Sequence, residues 1–287
     1  MKKFNKFTFI GGDSRQIYMS GYFKKSGYET EIFYSPDNET NSKDDMRKSI
    51  ASSQGIILPL PLTTDGVYLN SSAKMKETID DIISMMNETH VVFGGLISKA
   101  AEARFARKGI KIYDYFKRDD VAIMNAVPTV QGIVKTIIDN VDYTINSSKC
   151  AVIGYGKTAG VTADILKSLG ADVTVCARKN SDLAKAQTKR LNTCLIKDFH
   201  TISHSFDIII NTVPAMILDR KLLETLKQNT LIIDIASSPY GTDFAAAKKL
   251  GLNALLCPSL PGKVAPRTAG EIIAKGVFNI IREEFDE

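Results

Sequence analysis

The chain has no tryptophan, only three histidines and only four cysteines among its 287 residues. Cys150, Cys176, Cys194 and Cys257 lie far apart with no CxxC pair. That excludes a paired-cysteine zinc site, and three of the four sit in or beside apolar runs, as reduced core residues of a cytosolic protein do. Of the histidines only His200 and His204 have metal-like spacing, with neither an HExxH pattern nor a cysteine beside them, so no metal is expected. Long apolar runs are missing too, and no membrane span is expected. The N-terminus starts basic and turns apolar, but Gly11-Gly12-Asp13 interrupts it before a signal peptide's apolar core is complete; it reads as a first strand. The formal net charge of +5 is spread along the chain without a basic stripe or aromatic partners. Nucleic acid is therefore not an expected ligand, whereas an anionic small molecule is.

What is present is a good core composition, 44% hydrophobic with 24% charged residues, in a length that fits two domains better than one. Short apolar or alternating runs at 6–12, 29–34, 55–58, 90–93 and 110–114 alternate with helix-like segments such as 15–25 and 98–107. This pattern predicts a small α/β domain over residues 1–125 with a parallel sheet. Pro128 near the start of a helical run predicts a linker helix over 126–146. Further strands near 150–154, 171–176, 193–196, 207–211, 230–235 and 253–256 predict a complete doubly wound, Rossmann-type domain over 147–262. A long helix over 263–287 is expected to return to the first domain. The fold class is therefore α/β, with two α/β domains.

The most informative stretch is Lys149-Cys-Ala-Val-Ile-Gly-Tyr-Gly-Lys-Thr-Ala-Gly160, followed by Asp172-Val-Thr-Val-Cys-Ala-Arg-Lys179. It reads as strand, glycine turn, helix, strand. Gly154 would allow the sharp exit from the strand. Gly156 would let the backbone approach a pyrophosphate, and Ala159 or Gly160 would let the helix lie close on the sheet. The backbone through Lys157, Thr158 and Ala159 is expected to hold the phosphates at the positive end of the helix. NAD-selective sites usually carry an Asp or Glu at the end of the second strand, whereas this strand ends in Ala177-Arg178-Lys179. Arg178 could pair with a 2′-phosphate through two parallel hydrogen bonds and Lys179 would add charge, so NADP is favoured over NAD. The plain alternative is that both open a solvated loop.

Four further loops stand out: Gly11-Gly-Asp-Ser-Arg-Gln16, Leu58-Pro-Leu-Pro61, Asn125-Ala-Val-Pro-Thr129 and Pro258-Ser-Leu-Pro-Gly-Lys-Val-Ala-Pro-Arg-Thr-Ala-Gly270. With the glycine loop and Asn211-Thr-Val-Pro214, they make the chain resemble the dipicolinate synthase A-subunit family of spore-forming bacteria over essentially its whole length. One departure is Gln131, in Thr129-Val-Gln-Gly132, where the family commonly has a glutamate; an amide cannot titrate.

The resemblance implies an enzyme of the mother-cell cytoplasm that works with a second, flavoprotein-like component, the B subunit of dipicolinate synthase. Its product would be pyridine-2,6-dicarboxylate, from hydroxylated tetrahydrodipicolinate, with NADP as redox partner. A ring with two carboxylates calls for cations and hydroxyls, and Arg15, Thr129, Ser259, Lys263, Arg267 and Thr268 are expected on loops that face it. Asn211, Thr212, Val213 and Pro214 are expected near the nicotinamide ribose; an Asn-capped turn with Pro starting a helix is the structural alternative. Ser237 or Ser238 could fix the nicotinamide or the substrate edge. Lys263, Asp13 and Glu271 are candidates for acid–base work. The competing readings are a shikimate- or alanine-dehydrogenase-like enzyme and a nucleotide-binding regulatory protein, and a homo-oligomer is possible.

Overall fold

In a computed structural model the described residues are 4–36 and 42–285; residues 1–3, 37–41 and 286–287, which the expected domains include, lie outside them. The chain divides into two compact units, Met1–Asn125 with Ala265–Glu287, and Ala126–Val264.

The first unit holds a parallel sheet of five strands: β1 (Lys6–Ile10), β2 (Glu29–Phe33), β3 (Gly55–Ile57), β4 (Val91–Gly94) and β5 (Ile112–Asp114), in the order β2-β1-β3-β4-β5. The central strands β3 and β4 are buried along their full length, as strands covered on both faces must be. Period two sorts β1: Phe7 and Phe9 enter one core and Ile10 the other. Phe7 is in register with Gly55, and a Cβ at Gly55 would strike the Phe7 ring, so this strand position has room for glycine only.

Helices α1 (Ser14–Lys25), α2 (Lys43–Ser52), α3 (Ile79–Ser84) and α4 (Lys99–Ala106) cover this sheet together with the C-terminal helix α11 (Pro266–Phe285). α11 returns to the first unit and lies on α1, where Phe23 and Phe278 have ring centroids 4.5 Å apart. Gly270 makes that approach possible, because a Cβ there would sit 2.5 Å from the Arg15 carbonyl oxygen. α2 and α3 were not expected from periodicity. Both are short, and a capping box at Thr78 and Asp81 starts α3.

The second unit holds β6 (Lys149–Ile153), β7 (Asp172–Ala177), β8 (Asn192–Leu195), β9 (Ile208–Asn211), β10 (Leu231–Asp234) and β11 (Asn253–Leu256). All neighbours are parallel, in the order β11-β10-β9-β6-β7-β8. This is the doubly wound Rossmann order, and it reverses direction between β6 and β9. Helices α6 (Lys157–Ser168), α7 (Asn180–Thr188), α8 (Arg220–Leu223), α9 (Phe244–Lys249) and α10 (Leu260–Val264) complete the unit. Cys150 and Cys176 are buried in its sheet, and burial pushes the Cys150 thiol up to about 11 and raises that of Cys176 further.

The expected linker helix needs correction. α5 (Asp119–Asn140) begins ahead of residue 126, ends before 146, and encloses Pro128 instead of starting at it. Asp119 and Asp120 in its first turn supply the favourable charge at its positive end. α5 is long and apolar enough to cross a membrane by length and composition, but half of that apolar window is buried inside the protein. Ile133 and Ile137 belong to the core of the second unit, so α5 is a core helix.

Two glycine substitutions should move stability in opposite directions. Gly270→Ala forces a methyl against backbone that cannot yield, and should cost about 1–3 kcal/mol despite the better helix propensity. Gly21→Ala, in α1 with nothing within 4 Å of its Cβ position, should stabilise by about 0.5–1 kcal/mol. Urea melts of both variants check this, and a Gly270→Ala variant as stable as the parent would contradict the packing described.

Candidate dinucleotide site

Strand β6 ends at Ile153, and the chain leaves it through Gly154 at φ +99, a conformation that favours glycine. A Cβ at Gly154 would also strike the Thr212 hydroxyl and press on Val213. Thr212 is fixed there because its N–H and its hydroxyl both donate to the Ile153 carbonyl, at 3.1 and 2.8 Å. The exits of β6 and β9 are thereby tied together at the point where strand order reverses.

Gly156 has a different reason to be glycine. It is the N-cap of α6 in ordinary extended backbone, φ −78, and a Cβ would meet nothing within 4 Å. No side chain caps α6, so the positive end of its dipole faces an outside acceptor. Lys157 and Thr158 form its first turn. Ala159 is the residue buried against the sheet, whereas the Cβ position of Gly160 is open, which removes Gly160 from that role.

α7 also starts without a side-chain cap, at Lys179. Arg178 and Lys179 line a cavity of about 750 Å³ together with Gly154, Tyr155 and Ala177, a size that holds one nucleotide-sized part of a ligand. Leu195, Ile196 and Lys197 from the exit of β8, and Val213, Ala215 and Ile217 after β9, form the rest of a mostly apolar wall. Asp182 is the one carboxylate on the lining. The Tyr155 hydroxyl is buried without a hydrogen-bond partner among the described residues, and burial raises its pKa. Sequence reasoning missed Tyr155 and the β8 exit; the available signal for the latter was its place as the third strand of the nucleotide-binding half.

Several expected residues are occupied otherwise. Asn211 is fully buried, its amide donates to the Val213 carbonyl at 3.1 Å and its carbonyl accepts from Val213 N–H at 3.2 Å, so it builds the turn. Pro214 is exposed and starts no helix, since α8 begins at Arg220 with Asp219 as its cap. Ser237 and Ser238 are exposed on the loop after β10. That loop is organised by buried Asp234, which accepts from Ala236 N–H, Gly241 N–H and the Thr242 hydroxyl at 2.9, 3.0 and 2.7 Å.

The expected placement of the substrate residues on loops is also corrected. In the second unit Thr129 lies inside α5 and Lys263 in α10, while Ser259 stays on a loop at φ +59. Gln131 faces an apolar groove of about 320 Å³ between α5 and α6, away from any charged group on that lining. In the first unit Arg15 is the second residue of α1. Its guanidinium is buried, donates to both Asp13 carboxylate oxygens at 2.8–3.1 Å and to the Leu60 carbonyl at 2.6 Å. Arg267 and Thr268 are exposed in the first turn of α11, where Pro266 is the first residue. Arg267 Nε donates to Glu271 at 3.2 Å.

A doubly wound sheet with a glycine turn, an uncapped α6 and a cavity at the carboxyl ends of its strands defines a dinucleotide-binding protein of the two-domain dehydrogenase type. Residues 6–116 match the family described as the N-terminal domain of the dipicolinate synthase A subunit, and residues 133–242 match shikimate / quinate 5-dehydrogenase. The dipicolinate synthase A subunit of Bacillus subtilis (strain 168) is 39% identical over 238 residues, 79% of this chain and 77% of that protein. The crystal structure of the same subunit type from Bacillus subtilis superposes with a TM-score of 0.86 at 33% identity, over 99% of this chain and 97% of that one. The A subunit from Bacillus halodurans gives 0.86 at 28%, over 96% and 97%. A transhydrogenase from Sinorhizobium meliloti, 15% identical with a TM-score of 0.70 over 96% and 93%, shares the fold alone.

The chain belongs to the dipicolinate synthase A-subunit family. Family membership and the match of residues 133–242 to a dehydrogenase family support an oxidoreductase, and the Rossmann fold implies a nicotinamide dinucleotide cofactor.

The two loop glycines should separate stability from binding. Gly156→Val enters open space, so the variant should keep the parent's circular dichroism and melting temperature while losing dinucleotide binding in calorimetry. Gly154→Val should instead unfold more easily, by about 2 kcal/mol or more, because both its φ and Thr212 oppose the side chain. Normal binding by a folded Gly156→Val variant would move the phosphate loop elsewhere.

Proposed function

We propose that the chain is the NADP-dependent dehydrogenase component that oxidises dihydrodipicolinate, formed from 4-hydroxy-tetrahydrodipicolinate, to pyridine-2,6-dicarboxylate. It would act in the mother-cell cytoplasm of a sporulating bacterium, together with a second subunit. Family membership supports the substrate class. The observation that carries the cofactor choice is that Arg178 and Lys179 line the cavity without any ion pair among the described residues, where a carboxylate would select NAD.

The pieces fit such a cofactor. Gly154, Gly156 and the uncapped first turn of α6 would take the pyrophosphate. The apolar wall of Ala215 and Ile217 would take the adenine side, Val213 would stay toward the nicotinamide ribose, and Arg178 with Lys179 would take the 2′-phosphate. When bound, the nicotinamide supplies the hydride acceptor. The residues of the chain need to hold a dihydropyridine that gains aromatic resonance as hydride leaves, a step that needs orientation more than strong acid–base catalysis.

In this reading the substrate's carboxylates are met by Lys263, Arg15 and Arg267, and its edges by Thr129, Ser237, Ser259 and Thr268. Lys263 is exposed with no ion pair among the described residues, so its ammonium is available for this contact. Lys263 is also the proposed proton carrier for loss of water from the hydroxylated ring. Arg15 contributes through Nη1, since its other donors serve Asp13 and Leu60.

Arg178→Ala should weaken NADPH by about 1.5–3 kcal/mol, the scale of a charge-assisted hydrogen bond, while NADH affinity stays nearly constant. Equal losses for the two cofactors in calorimetry would remove the NADP assignment. Lys263→Met and Arg267→Met each keep side-chain bulk and remove a cation, so dipicolinate affinity should fall by about 1.5–3 kcal/mol per contact, with NADPH little changed. Titrations in which both variants bind dipicolinate as the parent does would shift the substrate site to Arg15 and Thr129.

A further inference from the structure

The cavity carries a third cation that the motif at the end of β7 does not contain. β7 and β8 run in parallel register with Ala177 opposite Leu195; just past these strand ends Lys179 is the N-cap of α7, Lys197 lies in the first turn of a 3-10 helix, Ile196–Thr201, and both line the cavity. Like charges gathered on one cavity wall repel unless an anion joins them. Arg178, Lys179 and Lys197 all line the cavity, and none has an ion pair among the described residues. Asp182, the one carboxylate on the lining, is 3.9 Å from Lys185, a partner outside it. The uncapped start of α7 adds the N–H groups of Asn180 and Ser181, for which no backbone or side-chain acceptor is present among the described residues. Three unpaired cations and two free donors around one carboxylate match a doubly charged phosphate better than a ribose hydroxyl.

We propose that Lys197 is a specificity-determining residue for the adenosine 2′-phosphate, acting from the exit of β8 alongside Arg178. The inference rests on the NADP reading given above. Because Lys197 is exposed and flexible, its share is smaller than that of Arg178, about three- to tenfold in affinity.

Calorimetry on the full chain tests it with four ligands: NADPH, NADH, adenosine 2′,5′-bisphosphate and AMP. Lys197→Gln should weaken NADPH and adenosine 2′,5′-bisphosphate about three- to tenfold and leave NADH and AMP within about twofold. Lys197→Arg should retain the parent's preference. If the parent prefers NADPH, Arg178→Ala removes the preference and Lys197→Gln binds as the parent does, the role of Lys197 is overturned while the NADP reading stands. Equal loss of all four ligands would also overturn it, by placing Lys197 against the adenosine itself. If the parent binds NADH as tightly as NADPH, the NADP reading fails and this inference fails with it.

Discussion

The exit of β6 fixes the functional half of the molecule. Gly154 turns the chain in a conformation that favours glycine, and Thr212 fills the space a Cβ would need while tying its own strand to the Ile153 carbonyl. This single junction sets the direction of α6, opens the sheet at the reversal of strand order, and places Val213 on the cavity wall. The buried Asp234 does similar work one strand away. Its carboxylate collects two backbone N–H groups and one hydroxyl and so shapes the loop after β10. Both junctions are polar contacts in an apolar sheet, and both are fully satisfied, which is why they can specify a loop without destabilising it.

Much of this was legible in the sequence, because α/β folds write their elements as local patterns. The β6–α6–β7 segment combines an apolar strand, a glycine turn, helical periodicity and a second strand, and each element was found where these patterns placed it. α2 was not legible, because Lys43–Ser52 is mostly polar and buries only Met46, Ser49 and Ile50. The start of α5 was lost to Pro128, which reads as a helix beginning. Here it sits mid-helix, and the loss of one backbone hydrogen bond is outweighed by the apolar faces that α5 buries.

The site was less legible than the fold for a geometric reason. Arg178 and Lys179 are adjacent to a motif and could be singled out from sequence, but Lys197 reaches the same cavity only because β8 pairs with β7. Likewise nothing in the order Asp13-Ser14-Arg15 announces that the arginine folds back on the aspartate and donates to it through Nε and Nη2. Sequence neighbours indicate which chemistry is on offer, and the packed structure decides which groups are already engaged.

Among the described residues, helices α1 to α4, α8 and α9 each begin with a side chain that accepts a hydrogen bond from their own first turn. α6 and α7 do not; Lys179 and Asn180 at the start of α7 line the cavity, and α6 begins two residues after Tyr155, which lines it too. An anion that settles at either start would therefore complete a helix as well as fill a site. Part of the conformational stability of the second unit is in this way deferred to its ligand. Occupancy at a hundred times the dissociation constant would add about 2.7 kcal/mol by mass action. The first turns of α6 and α7 are where amide exchange would slow most on binding, so the protein would carry a record of its cofactor supply in its own resistance to unfolding.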